Sequence, residues 1–147
     1  MKEEKQGTPF TDIFRIFMLD ISSDKFASLL TPQELKDTLV GYLHKSCDLH
    51  FPQCKHDLSK RDDTSFEEKL DEDEKHIIAL GMKLNWIDSN HIANDRNLQT
   101  RLLTKDYHLY SPANHIKVLH DLRKDLKSEL RKEIIAYEYR HYLKENQ

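Results

Sequence analysis

Five residues of the types that bind metal or carry nucleophilic chemistry crowd into one stretch of this 147-residue chain: His44, Cys47, His50, Cys54 and His56. Zinc takes four nitrogen or sulfur donors in a tetrahedron, and these identities suit it. The spacing does not. Structural zinc sites pair their ligands in two separated knuckles, whereas all these candidates lie within residues 44–56 and no distant second pair closes the site. The stretch reads as a helix end running into a polar loop, with no metal and no cofactor expected.

Other chemistry fares no better. Cys47 or Cys54 beside a histidine could form a nucleophile–base pair. With nine histidines in the chain such adjacency carries little information, and no motif surrounds either thiol. The carboxylate pairs Asp62–Asp63 and Glu67–Glu68 fall in a polar segment, where nothing would separate their pKa values as acid–base catalysis requires. Gly7, Gly41 and Gly81 are isolated, so no glycine-rich loop can cradle a phosphate. The expectation is a protein without catalytic residues, not an enzyme.

The elements that would carry these residues are helical. Three Gly and four Pro leave too few turn signals for a strand-rich sandwich. A charged fraction of 33% with only 37% hydrophobic residues implies long helices with wet faces and a thin core. One domain of this length buries roughly two thirds of its unfolded surface without disulfides or metal. The net charge of −3 is evenly spread, and the densest basic group, Arg123, Lys124, Lys127, Arg131 and Lys132, alternates with Asp121, Asp125, Glu129 and Glu133. On a helix that alternation makes ion pairs on a wet face rather than a phosphate-binding stripe. The apolar run Ile13–Leu19 is too short to span a bilayer, and MKEEKQG lacks the apolar centre of a signal peptide. Two cysteines without an export signal read as reduced cytosolic thiols.

Residues 1–8 read as a frayed tail. Phe10, Ile13, Phe14, Phe17 and Ile21 mark a first helical face, interrupted by Ser22–Ser23–Asp24. Thr31-Pro32-Gln33-Glu34 is a capping box with proline at the first helical position, opening a helix that runs to about Ser46 with Leu35, Leu39, Tyr42 and Leu43 inward. Residues 49–69 have no helical period and read as a long loop, an arm or an ordered excursion. Asp71 with Glu74 caps a third helix over Glu72–Asp88, in which Gly81 marks a close helix–helix approach. A short helical segment follows near Asn94–Leu103, and Lys105–Tyr110 breaks the pattern. Ser111–Pro112 opens the last helix, whose stripe of Ile116, Leu119, Leu122, Leu126, Leu130, Ile134 and Tyr137 carries it to about Leu143. So long an element should overhang the bundle. The fold class is therefore all-α: a small helical bundle with a long C-terminal helix and a long ordered loop between helices two and three.

Tyrosines concentrate in the last third: Tyr107, Tyr110, Tyr137, Tyr139 and Tyr142. The last three cannot share one helix face, so some must point outward. They are either core-edge residues or a docking surface, where tyrosine gains contact area at low entropy cost. Trp86 poses the same question.

Three stretches, CKHDLSKRDD (Cys54–Asp63), DEDEKHIIALGMKLNWI (Asp71–Ile87) and LLTKDYHLYSPANHIKVLHDLRKDL (Leu102–Leu126) with AYEY (Ala136–Tyr139), resemble small helical head–tail connector proteins of tailed bacteriophages of Gram-positive bacteria. These form the neck, the adaptor between portal and tail. The likeness spans residues 50–140. It implies a structural virion protein, assembled in the bacterial host cytoplasm as a ring of about twelve copies. Its implied partners are the portal protein, copies of itself, and a tail or lower-neck protein. DNA would pass through without specific binding, and no membrane is involved. By the same resemblance, residues 134–147 would be a projecting end that docks on the portal through Ile134, Ile135, Tyr137, Tyr139, Tyr142 and Leu143. Lys55, Asp57, Arg61, Asp62 and Asp63 would make the inter-subunit or tail-side contact. The rival expectations are a free regulatory protein that binds a host factor, a helix-turn-helix nucleic-acid binder over 72–104 with only Arg96 and Arg101 in its recognition segment, and a small Cys–His hydrolase.

Overall fold

The computed structural model describes residues 7–20, 31–93 and 112–145. Four helices dominate them: α1 (Phe10–Asp20), α2 (Pro32–Lys45), α3 (Glu72–Ala93) and α4 (Pro112–Glu145). One π turn, Ser46–His50, extends α2, and a two-stranded antiparallel ribbon joins β1 (Thr8–Pro9) to β2 (Ser65–Phe66). The chain is all-α. The expected segments near Asn94–Leu103 and Lys105–Tyr110 lie outside the described residues, as do Tyr107 and Tyr110.

The start of α2 follows its sequence signal. The Thr31 hydroxyl accepts from the Glu34 amide (3.2 Å), and the Glu34 carboxylate accepts from the Thr31 amide (3.1 Å). Pro32 at the first helical position has no amide to leave unpaired. At the C-terminal end the Phe51 amide reaches Ser46 O at 3.1 Å, a bond to the fifth preceding residue that widens the last turn. This turn presses Ser46 against α3, where its hydroxyl donates to Ile78 O at 2.8 Å. Gly81 permits that approach: a Cβ there would sit 2.0 Å from Ser46 Oγ and 3.0 Å from Ser46 Cβ.

α3 is the axis of the molecule. Ile77, Ile78, Ala79, Leu80, Met82, Leu84, Trp86 and Ile87 are all buried, because α1, α2, the π turn and α4 cover it on several sides. Phe10, Ile13 and Phe17 pack from α1, Leu39 and Leu43 from α2, and Leu126, Leu130, Ile134 and Tyr137 from α4. α3 and α4 run antiparallel, with Asp88 paired to Arg123 near one end and Asp73 to Arg140 (3.1 Å) near the other. Trp86 belongs to this core and not to a docking surface.

Two expectations need correction. Gly7 and Thr8 are not part of a frayed tail. Thr8 is buried, its hydroxyl accepting from the Leu70 amide (2.7 Å) and donating to Glu68 O (3.2 Å). Nor does the C-terminal end of α4 project freely. Arg140 pairs with Asp73 and Lys55 with Glu145 (3.5 Å), and Ile134 and Tyr137 are buried against α3 and the loop.

The segment between the π turn and α3 is an ordered excursion. Phe51, Leu58, Phe66 and Leu70 anchor it in the core at long intervals. Between them its polar residues satisfy one another: Asp62 Oδ1 accepts from the Thr64 and Ser65 amides (2.7 and 2.8 Å), and Arg61 forks onto both Asp48 oxygens (3.2 Å each).

Candidate functional site

The five clustered His and Cys residues separate in the fold. His44 lies edge-on to Phe10 (ring centroids 5.9 Å apart), and burial, followed by the charge of Arg61, lowers its pKa. Cys47 is a core residue whose thiol pKa burial pushes up to about 12. His50 Nε2 bonds Asn85 Oδ1 at 2.8 Å, while Asn85 Nδ2 donates to Tyr42 O at 3.0 Å, which ties the π turn to α3 and α2.

Cys54 and His56 do converge, on a residue noted in the sequence only for capping. Glu74 occupies the third position of α3, with its side chain 0% exposed. Its Oε1 accepts from the Asp71 amide at 2.8 Å, the half of the expected capping box that forms here. The same carboxylate accepts from Cys54 Sγ (2.9 Å to Oε2), from His56 Nδ1 (2.7 and 2.9 Å to its two oxygens) and from the Tyr137 hydroxyl (2.9 Å to Oε2). Tyr137 in turn accepts from the Lys55 amide at 2.8 Å, so α4 holds the backbone between Cys54 and His56. Phe51 stands edge-on to the Tyr137 ring at 5.1 Å, and the His141 ring lies against it at 4.2 Å, tilted by 55°.

These contacts set the charge of the group. Burial works against ionising Glu74, but hydrogen bonds from Cys54, the Asp71 amide, His56 and Tyr137 outweigh it and lower its pKa. His56 moves the other way. Its bond to Glu74 raises its pKa against the opposing effect of burial, helped by the charges of Glu74, Asp71 and Glu68. Burial and then the Glu74 carboxylate raise the Cys54 thiol, which stays protonated and unreactive at neutral pH. The Tyr137 hydroxyl is raised as well, chiefly by burial. Cys54, His56 and Glu74 each place a ligand atom within 4.8 Å of the others. A cavity of about 410 Å³, lined in part by Cys47, Cys54, Lys55, His56 and Asp57, opens beside them.

The residues expected at the docking end divide by helix face. Ile134 and Tyr137 point inward, four and seven positions beyond Leu130 on the buried stripe. Both are core residues, not the exposed side chains expected there. Ile135, Tyr139, Tyr142 and Leu143 point outward and are 59, 62, 61 and 45% exposed. Beside them a shallow cavity of about 480 Å³ runs between α4, α3 and the π turn, lined in part by His50, Leu84, Ile134, Ile135 and Glu138. Of the loop residues, Lys55, Asp57, Asp62 and Asp63 are at the surface, and Arg61 is half-buried on Asp48. Asp57 and Asp62 spend their carboxylates on their own turns, at Ser59 and at Thr64–Ser65. Sequence reasoning missed the Glu74 centre because its parts are 20, 18 and 63 positions from Glu74. The one available signal was Glu74 itself, a capping carboxylate three and four positions before Ile77 and Ile78 and so in line with the buried stripe of its helix.

Compared with family models, curated proteins and solved structures, the chain matches none. Among the described residues no helix is long and apolar enough to cross a membrane.

Proposed function

We propose that the chain is a non-catalytic assembly subunit, an adaptor in the neck of a tailed bacteriophage that joins the portal ring to the tail machinery. The observation that carries the assembly reading is the outward set Ile135, Tyr139, Tyr142 and Leu143 on the last turns of α4. Four large apolar side chains on one face of a helix whose opposite face is packed are costly to leave in water, and tyrosine is enriched where partners dock. The ordered loop supports the same reading. It presents Lys55, Asp57, Asp62 and Asp63 on a scaffold already held by internal hydrogen bonds, so a neighbouring copy or a tail protein would meet a preformed surface. Both thiols have raised pKa values, which argues against a Cys–His hydrolase. The neck itself, its ring of copies and its virion location come from the resemblance of residues 50–140.

An early stop codon in this gene, placed in the phage genome that carries it, tests the proposal by negative-stain microscopy. Separated heads and tails are expected. Joined, normal particles would overturn it and favour a free regulatory protein.

A further inference from the structure

We propose that Cys54, His56 and Glu74 form a binding site for a divalent transition-metal ion of zinc type, which clamps the loop to α3. Their ligand atoms, Sγ, Nδ1 and a carboxylate oxygen, all lie within 4.8 Å of one another. Thiolate, imidazole and carboxylate together suit a borderline-soft ion and not magnesium or calcium, which take oxygen donors.

The site is built, and not a chance surface grouping. Glu74 is completely buried and fixed by the Asp71 amide and the Tyr137 hydroxyl. The two loop ligands are held in place by the bond from the Lys55 amide, between them, to Tyr137. Such outer contacts orient the ligands of metal sites. Access is provided by the cavity of about 410 Å³ that Cys54 and His56 line, which has room for a water as fourth ligand.

The present contacts, 2.7 to 2.9 Å, are those of donors bonded to a shared carboxylate. Around zinc, with bonds of about 2.0–2.3 Å, tetrahedral ligand atoms stand roughly 3.3–3.5 Å apart. Metal entry therefore requires the two contacts to Glu74 to open by about half an ångström. It also requires Cys54 Sγ and His56 Nδ1, now within 4.8 Å of each other, to settle at the same spacing, and His56, partly exposed on a loop, can supply the movement. The exchange balances: the S–H and N–H protons now shared with Glu74 leave, one divalent cation enters, and Sγ, Nδ1, the carboxylate oxygen and one water each supply a bonding electron pair. No oxidation is involved. The positive end of the α3 dipole opposes the cation weakly, and the Glu74 and thiolate charges oppose that effect.

Cobalt(II) titrated into the chelator-treated full chain tests the proposal, with zinc(II) as competitor. One equivalent is expected to produce a thiolate-to-cobalt charge-transfer band, which zinc removes. Cys54→Ser should abolish the band and weaken zinc binding by about a hundredfold or more, while Cys47→Ser, at the other thiol lining the cavity, should leave both unchanged. If circular dichroism shows Cys54→Ser unfolded, His56→Gln replaces it, with the band lost or shifted and zinc binding weakened. The absence of a band in the native chain, its survival in Cys54→Ser, an unshifted band in His56→Gln, or its loss in a folded Cys47→Ser would each overturn the site. Phage assembly is not part of the readout, so failure here leaves the neck proposal standing, and the converse holds.

Discussion

The Tyr137 hydroxyl donates to the buried Glu74 carboxylate at 2.9 Å, joining α4 to the first turn of α3 across 63 positions of sequence. The same oxygen accepts from the Lys55 amide, so one hydroxyl connects both helices and the loop. Tyr137→Phe keeps the ring against Phe51 but strands the Lys55 amide and removes one of the donors to Glu74. A loss of about 1–3 kcal/mol is expected by urea denaturation, because buried groups left without partners cost most. Tyr139→Phe, on the exposed face, should change stability by no more than about 0.5 kcal/mol. Equal effects at the two positions would contradict the arrangement.

Two helical glycines should respond with opposite sign. Gly81→Ala drives a Cβ into Ser46, whose short side chain is itself bonded to Ile78 O and cannot swing away, and should destabilise by about 1–3 kcal/mol. Gly41 in α2 has nothing within 4 Å of a built Cβ, so Gly41→Ala should stabilise by up to about 1 kcal/mol through helix propensity. Combining Gly81→Ala with Ser46→Ala should cost less than the sum of the single changes, because Ser46→Ala removes the oxygen in the tighter contact. Additive values would show that Ser46 is not what Gly81 accommodates.

Glycine 81 also shows what the sequence made legible. An isolated glycine within a broad apolar face has few uses other than a close approach, and the Thr31-Pro32-Gln33-Glu34 signal is local to four residues. Both could therefore be read without knowing the fold. The inward or outward assignment on α4 was half legible. The stripe Leu126, Leu130, Ile134, Tyr137 has helical spacing, and following it consistently places Ile134 and Tyr137 inside, against their expected role as anchors. The ribbon between Thr8 and Phe66 and the Glu74 cluster were not legible. Their contacts span long intervals of sequence, and a period of 3.6 residues says nothing about which distant loop a helix end will meet.

The acid–base behaviour of the Glu74 centre gives a pH signature in chelator-treated protein. His56 has a folded pKa raised above its ordinary 6.5, first by its hydrogen bond to Glu74, so its pairing stabilises the fold fully below about 6.5. That contribution fades as pH rises through the folded value. Glu74, with its pKa lowered below 4.5, adds stability above about 4.5 that is lost as pH falls through its own folded value. The stability gap between the native chain and His56→Gln should therefore be widest between those limits and close at alkaline pH. A gap that instead widened above neutrality would show that His56 is not paired as the charged form.

The exposed end of α4 allows the proposed docking to be tested apart from folding. Ile135, Tyr139, Tyr142 and Leu143 face outward, whereas Ile134 and Tyr137, one helix face away, hold the core. A Tyr139→Ser/Tyr142→Ser double variant removes two aromatic anchors without opening a cavity, and its thermal midpoint should stay within a few degrees of the native value. Ile134→Ala, a core truncation, should instead cost about 2–5 kcal/mol. Under the neck proposal the folded double variant would complement the early stop codon poorly, leaving heads and tails apart. Full complementation by a folded double variant would remove this face from the docking surface, and the ordered loop of Lys55, Asp57, Asp62 and Asp63 would then be the surface to substitute next.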